Sequence, residues 1–376
     1  MILYTFIFFI TVSAALFVRR PQPIYGTSRQ QVLNRISLAA VFSVLFLLCA
    51  LRIEVGNDYL TYVQNAHEIY VGGIIVTEPG YNLIVKALYT LSGGENFLLV
   101  FAVFGCVTIY IFLRSMYDQS ESFAMSFMLF MALGIYYRSF TTVRYYLVLA
   151  ITLFSLRYIL KKQYARFVIV ILIAALFHKS VLIVLPLYLI CSITWKKWFY
   201  VLLAGGAAAL YIFRDTVMEI ALKLYPSYKD TVYLTMDVGL KESLPTIGRC
   251  ALVIALCILC YNEAIKDNKA NTLYFNMTIL TVALYLGGSF IPMLSRFGYY
   301  LITPQILLVP GVYTSLKDDR KKKYILWGII AVALLNFLYF LYTASKPGIA
   351  VLPYKSWLFN DLEWNNIEDV LTYTNR

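Results

Sequence analysis

The chain reads as an all-α, polytopic membrane protein, and three observations lead there. Of its 376 residues, 61% are hydrophobic and only 14% charged. Mean hydropathy is +0.72, more apolar surface than a soluble core can hide. The apolar residues come in repeated runs of about 20, the length of helix that crosses a roughly 30 Å hydrocarbon core. A transmembrane barrel would instead show short alternating strands, and the sequence lacks them.

The runs follow in order. The first, 2–18, has no basic residue ahead of it and no small-residue cleavage site, and Arg19 and Arg20 follow at once. It predicts a first span with its N-terminus outside rather than a cleaved signal peptide. Further spans are expected at 32–51, 97–113, 123–137 and 142–160. The run 164–195 is too long for one untilted crossing, yet each half of about 14 residues makes only roughly 21 Å of helix. His178-Lys179-Ser180 interrupts it, giving 164–177 and 180–195. The remaining runs are 198–213, 246–262, 272–292, 297–316 and 324–343, for about 12 transmembrane or half-spanning helices in all.

Charge fixes an orientation. With two passes across 164–195, one set of alternate gaps holds Arg19, Arg20, Arg29, Arg35, Arg114, Arg157, Lys161, Lys162 and Arg166. The same set holds Lys196, Lys197, Lys266, Lys269 and the cluster from Lys317 to Lys323. The whole formal charge of +12 then lies on that side, and the other side is neutral. Basic gaps are cytoplasmic by the positive-inside rule. A single pass would throw the Lys317–Lys323 cluster outside, so the break at His178 faces outward, as do both termini. This distribution also accounts for the net charge without a nucleic-acid partner.

No internal repeat or linker appears, and residues 1–376 are expected to form one membrane domain. Its sizeable outer segments are 52–96, 214–245 and the tail 344–376. Within the first, the amphipathic stretch Asn82–Leu91 suits the membrane surface. The six cysteines lie in or beside apolar runs. Cys257 and Cys260 have neither a second pair nor a nearby histidine, so a buried structural role is expected. No phosphate loop, dinucleotide fingerprint or zinc motif is present.

The remaining ionisable groups, Arg52, Asp58, Arg138, Arg144, His178 and Arg296, fall near the outer surface. Such groups at membrane depth are costly unless they line a cavity or bind something. Arg138 and Arg144 flank the short connection Ser139–Val143, and Arg296 follows Pro292. One arginine at a helix end simply snorkels to the interface; several together suit a phosphate-bearing ligand, because guanidinium forks match its oxygens and keep their charge. His178 sits between two apolar half-segments, where imidazole can take a proton near neutral pH. His67, in a polar loop, is expected to be structural. Arg52 and Asp58 either form an ion pair that shapes their loop or divide into an anion contact and a hydroxyl contact or base.

The order of short motifs resembles the EpsG family of Wzy-type polysaccharide polymerases. They are Arg52-Ile-Glu-Val-Gly-Asn-Asp-Tyr59, Glu78-Pro-Gly-Tyr81, Val143-Arg144-Tyr145-Tyr146, Phe177-His178-Lys179-Ser180, Ser295-Arg296-Phe297 and Pro353-Tyr354. The family commonly has Arg-Gln where this chain has Arg144-Tyr145, which removes an amide contact but keeps the arginine. The resemblance implies a GT-C-like helical fold in a bacterial cytoplasmic membrane. It implies a glycosyltransferase that joins oligosaccharide repeat units carried on undecaprenyl diphosphate, on the outer face, without a metal. Donor and acceptor lipid-linked glycans, membrane lipid and a chain-length regulator protein are the partners it suggests. On that reading Arg144 and Arg296 hold the diphosphate, Arg138 or Arg52 assists, and His178 or Asp58 activates the acceptor hydroxyl. A flippase for the same lipids, an O-antigen-type ligase and a membrane acyltransferase are the competing readings. A transporter would place charges through the middle of its spans; here they gather at one face.

Overall fold

Apolar runs become helices throughout the computed structural model, which describes residues 1–19, 29–224, 240–291 and 294–359. In chain order the first helices are α1 (Ile2–Ala15), α2 (Arg29–Ala50), α3 (Tyr59–Val71), α4 (Pro79–Ser92), α5 (Phe97–Gln119) and α6 (Phe123–Ala132). Next come α7 (Ile135–Arg138), α8 (Val143–Leu160), α9 (Tyr164–Ala175), a 3-10 turn (Lys179–Ile183), α10 (Val184–Ser192), α11 (Lys197–Ile212) and α12 (Arg214–Leu224). The last are α13 (Leu240–Leu259), a π turn (Tyr261–Ile265), α14 (Lys269–Gly288), α15 (Leu294–Ile302), α16 (Gln305–Ser315) and α17 (Asp319–Thr343). Among the described residues there is no strand, only an isolated bridge between Arg52 and Ser356.

Length sorts these helices. Four, α2, α5, α8 and α17, are long and apolar enough to cross a membrane; α11 with Arg214–Ile220, bent by 79°, makes a fifth if the pair is one span. Several other apolar helices, α1, α6 and α9 among them, have only 10–17 residues, so a larger crossing count requires them to act as half-spans. The fold is thus an all-helical, multi-pass membrane protein with four to five candidate spans. Sequence-local caps set the starts: Asn96 Oδ1 accepts the Leu99 N–H at 3.0 Å at α5, and Asn268 Oδ1 accepts from Ala270 and Asn271 at α14. Each such cap contributes about 1 kcal/mol.

The chain divides into two compact units: Met1–Phe154, Leu172–Lys179 and Lys323–Arg376 in one, Ser155–Ile171 and Ser180–Lys322 in the other. The sequence shows no boundary because the division falls inside α8, α9 and α17 rather than in a linker. In the first unit aromatic stacking fastens α1 and α7 to α17: Phe8 of α1 lies on Phe337 at 4.4 Å, and Tyr137 of α7 on Phe340 at 5.1 Å. In the second unit α14 packs against α10, α11, α13, α15 and α16. Asn276 Nδ2 of α14 donates to Cys191 O at 3.0 Å, so its inward polarity ties helix to helix.

Three expected outer segments differ in detail from plain loops. Segment 52–96 holds α3 and α4, which meet through Tyr59, Tyr62, Tyr81, Val85 and Tyr89. The amphipathic stretch lies in α4, with positions 81, 85 and 89 buried while Leu83 and Leu91 are exposed. Segment 214–245 is helical at both ends, and its residues 225–239 lie outside the described residues, as do Arg20 and Pro292. Of the tail, 344–359 is described: Ile53 N–H donates to Lys355 O at 3.0 Å, Trp357 N–H to Leu51 O at 3.1 Å and Gly56 N–H to Ala350 O at 2.8 Å.

Candidate functional site

Glu78 starts α4 and organises the cluster. Pro79 occupies the first helical turn, where its fixed φ suits the helix and its missing N–H costs nothing. Gly80 donates its N–H to Leu176 O at 2.8 Å, an approach so close that an added Cβ would lie 2.8 Å from that oxygen. The Glu-Pro-Gly turn is therefore pinned to the chain just ahead of His178. The Glu78 side chain does not cap its own helix. Its Oε2 pairs with Arg144 Nη1, and its Oε1 accepts the Lys179 N–H at 3.2 Å.

Arg144 opens α8 inside an aromatic cage. Its guanidinium carbon lies 5.6 Å from the Tyr62 ring and 5.4 Å from the Tyr81 ring, distances at which the ring quadrupole attracts a cation. Side-chain exposure is only 18% for Arg144 and 13% for Glu78, so water screens the pair weakly. Arg144 Nε is enclosed without a hydrogen-bond partner among the described residues. Its N–H donates to Tyr62 Oη at 3.3 Å. Burial pushes the Tyr62 phenol up, and Arg144 beside it pulls the other way.

His178 lies in the break between α9 and the 3-10 turn, partly exposed. Tyr145 presents its ring edge-on to the imidazole, centroids 5.5 Å apart. Consecutive residues Arg144 and Tyr145 thus reach the His178 loop, one through Glu78 and one directly. Asp58 stands at the N-cap position of α3, one turn before Tyr62 on the same helix face, and accepts from Asn57 Nδ2 at 3.2 Å. Arg138 ends α7, with its carbonyl accepting from Thr141 Oγ1 at 2.6 Å. Beneath the cluster Phe101, Phe104 and Leu147 form an apolar floor.

Arg52 departs from the anion-binding expectation. It is 1% exposed, with its guanidinium carbon 5.0 Å from the Phe101 ring and 4.8 Å from the Phe140 ring. Nη1 donates to Cys49 O at 3.1 Å, and no carboxylate among the described residues pairs with it, so the proposed ion pair with Asp58 is not formed. The reason is the loop: Gly56, at φ +109°, seats against Phe140, where a Cβ would lie 2.3 Å from its carbonyl oxygen. That packing folds 52–57 over Arg52 and closes it off. His67 has its Nδ1 3.0 Å from Glu95 Oε1.

Arg296 belongs to the second unit, on α15, partly buried. In that unit Ser180, two residues after His178, has its Oγ 2.9 Å from Tyr300 Oη of the same helix. The first unit gathers Asp58, Glu78, Arg144, Tyr145 and His178. Two groups that sequence reasoning missed are Glu78 as the arginine's counterion and the Tyr62–Tyr81 cage; the available signal was a carboxylate preceding Pro-Gly in the polar segment 52–96.

A fixed cation with its carboxylate, an imidazole and a second carboxylate, set at one end of α2, α5 and α8, define a multi-pass membrane protein with a polar site at the span ends. The sequence model of the EpsG family matches residues 35–356. The chain belongs to the EpsG family, whose membership points to polysaccharide biosynthesis. No curated protein and no solved structure matches it.

Proposed function

We propose that the chain is a Wzy-type polysaccharide polymerase acting at the outer face of a bacterial cytoplasmic membrane. The observation that carries this reading is the Arg144–Glu78–Lys179 linkage beside His178 in a chain of EpsG membership. In the reaction, an acceptor sugar hydroxyl attacks the anomeric carbon of a donor glycan. The bond from that carbon to the diphosphate oxygen breaks, and undecaprenyl diphosphate leaves with the electron pair. The hydroxyl proton passes to His178 or Asp58. Arg144, held in place by Glu78, and Arg296 favour the charge that gathers on the leaving diphosphate; Arg138 assists. Arg52 is assigned to the support of the loop instead.

Orientation has its own support. The candidate spans α2, α5 and α8 bring one set of ends to this cluster, while their other ends carry Arg29 and Arg35, Arg114, and Arg157 with Lys161 and Lys162. Basic ends favour the cytoplasmic side, which supports an outward-facing cluster. The test is reconstitution of the purified chain in vesicles with an undecaprenyl-diphosphate-linked repeat unit. A ladder of lengthened lipid-linked glycans is expected. Relocation of the intact substrate across the vesicle wall, or a single transfer without a ladder, would overturn the assignment in favour of a flippase or a ligase.

A further inference from the structure

A groove of about 510 Å³ lies between α2 and α5 near the N-terminal end of α2. This is within the roughly 300–1,000 Å³ of small-molecule sites. Its polar end holds Arg35 and Arg114; its wall is Leu38, Phe42, Tyr110 and Leu113. Arg114 Nε is 2.8 Å from Asp118 Oδ2, which offsets part of its charge. Arg35 has no hydrogen bond or ion pair among the described residues. Both helices are candidate spans, so the groove runs from a headgroup layer into the acyl region.

We propose that this groove binds an anionic glycerophospholipid, its phosphate on Arg35 and Arg114 and an acyl chain along Leu38, Phe42 and Leu113. Guanidinium forks fit phosphate oxygens, and basic pockets between membrane helices on the cytoplasmic side take such headgroups. The apolar wall is what a free phosphate would leave unused. The lipid is not the glycan donor of the cluster described above. Arg35 and Ala50, where α2 ends beside the cluster, are separated by roughly 22 Å of helix rise, most of the roughly 30 Å of a whole hydrocarbon core, so the groove serves the opposite leaflet.

The test uses the full purified chain in detergent, given phosphatidylglycerol or phosphatidylcholine, with retained lipid counted by native mass spectrometry. The wild type is expected to keep phosphatidylglycerol at least tenfold better than phosphatidylcholine. Arg35→Gln with Arg114→Gln should abolish that preference. Both side chains are exposed, so helical circular dichroism should be unchanged. Ala39→Phe, which keeps the charges and fills the groove, should lose the lipid too. Equal retention of the two lipids, undiminished retention by either variant, or displacement of the lipid by inorganic phosphate alone would overturn the proposal.

Discussion

Glu78 illustrates what a single residue contributes here. It stands 66 positions from its partner Arg144 and 101 from Lys179, so no local pattern announces the pairing, whereas both arginine and histidine announce themselves by interrupting apolar runs. Breaking a weakly screened ion pair leaves an uncompensated charge and costs about 3–5 kcal/mol. Glu78→Gln is expected to lower thermal stability by that order and to abolish polymerisation; a variant as stable and active as the wild type would show the pair to be idle. Gly80→Ala must push against the Leu176 carbonyl, at a cost of about 1–3 kcal/mol, read as a lowered unfolding temperature. Arg52 makes the opposite case. It was legible as an outer arginine but not as an enclosed one, because its burial depends on Phe140 and on the tail, both remote in sequence. Arg52→Met, of similar shape, is expected to leave binding of the lipid diphosphate unchanged, measured by titration with undecaprenyl diphosphate.

At the scale of elements, the segment 344–359 closes over the loop that follows α2. Tyr354 Oη donates to Leu48 O at 2.9 Å, and Lys355 Nζ pairs with Glu54 Oε2 at 2.6 Å. These two contacts differ in weight. The ion pair is 45% exposed on each side and screened, so Glu54→Gln should change stability by less than about 1 kcal/mol. The tyrosine is sheltered, and burial pushes its phenol up to about 12. A folded pKa above the ordinary value of about 10 means that this contribution is complete below pH 10 and is lost as pH rises through 12. Hydrogen exchange of Ile53 and Gly56 should accelerate over that window in the wild type, and the tyrosine-dependent step should vanish in Tyr354→Phe. The motif around Pro353-Tyr354 was visible in the sequence; its pairing with Arg52–Asn57 was not, since nearly the whole chain separates them.

For the whole molecule, runs of apolar residues made most of the helices legible in order, including the break at His178, because that signal is local; α3 and α12, in the segments read as outer loops, and the breaks inside 123–137 and 297–316 were not. The two units were not, since each is assembled from separated stretches and the boundary runs through helices. Charge supports the proposed orientation, and it makes a direct prediction. The native cysteines are buried apart from the partly covered Cys106, so background labelling is low. Asn57→Cys should react with a membrane-impermeant maleimide in intact cells, and Arg320→Cys only after lysis; the reverse pattern would invert the molecule. The proposed activity rests on transfer chemistry at the cluster of Arg144 and His178. Its most direct measurement compares Arg144→Ala and His178→Ala in the reconstituted assay, with donor binding and product length read on the same samples. The expected result is loss of diphosphate binding in the arginine variant, and donor binding without a ladder in the histidine variant. A wild-type ladder from both would contradict it.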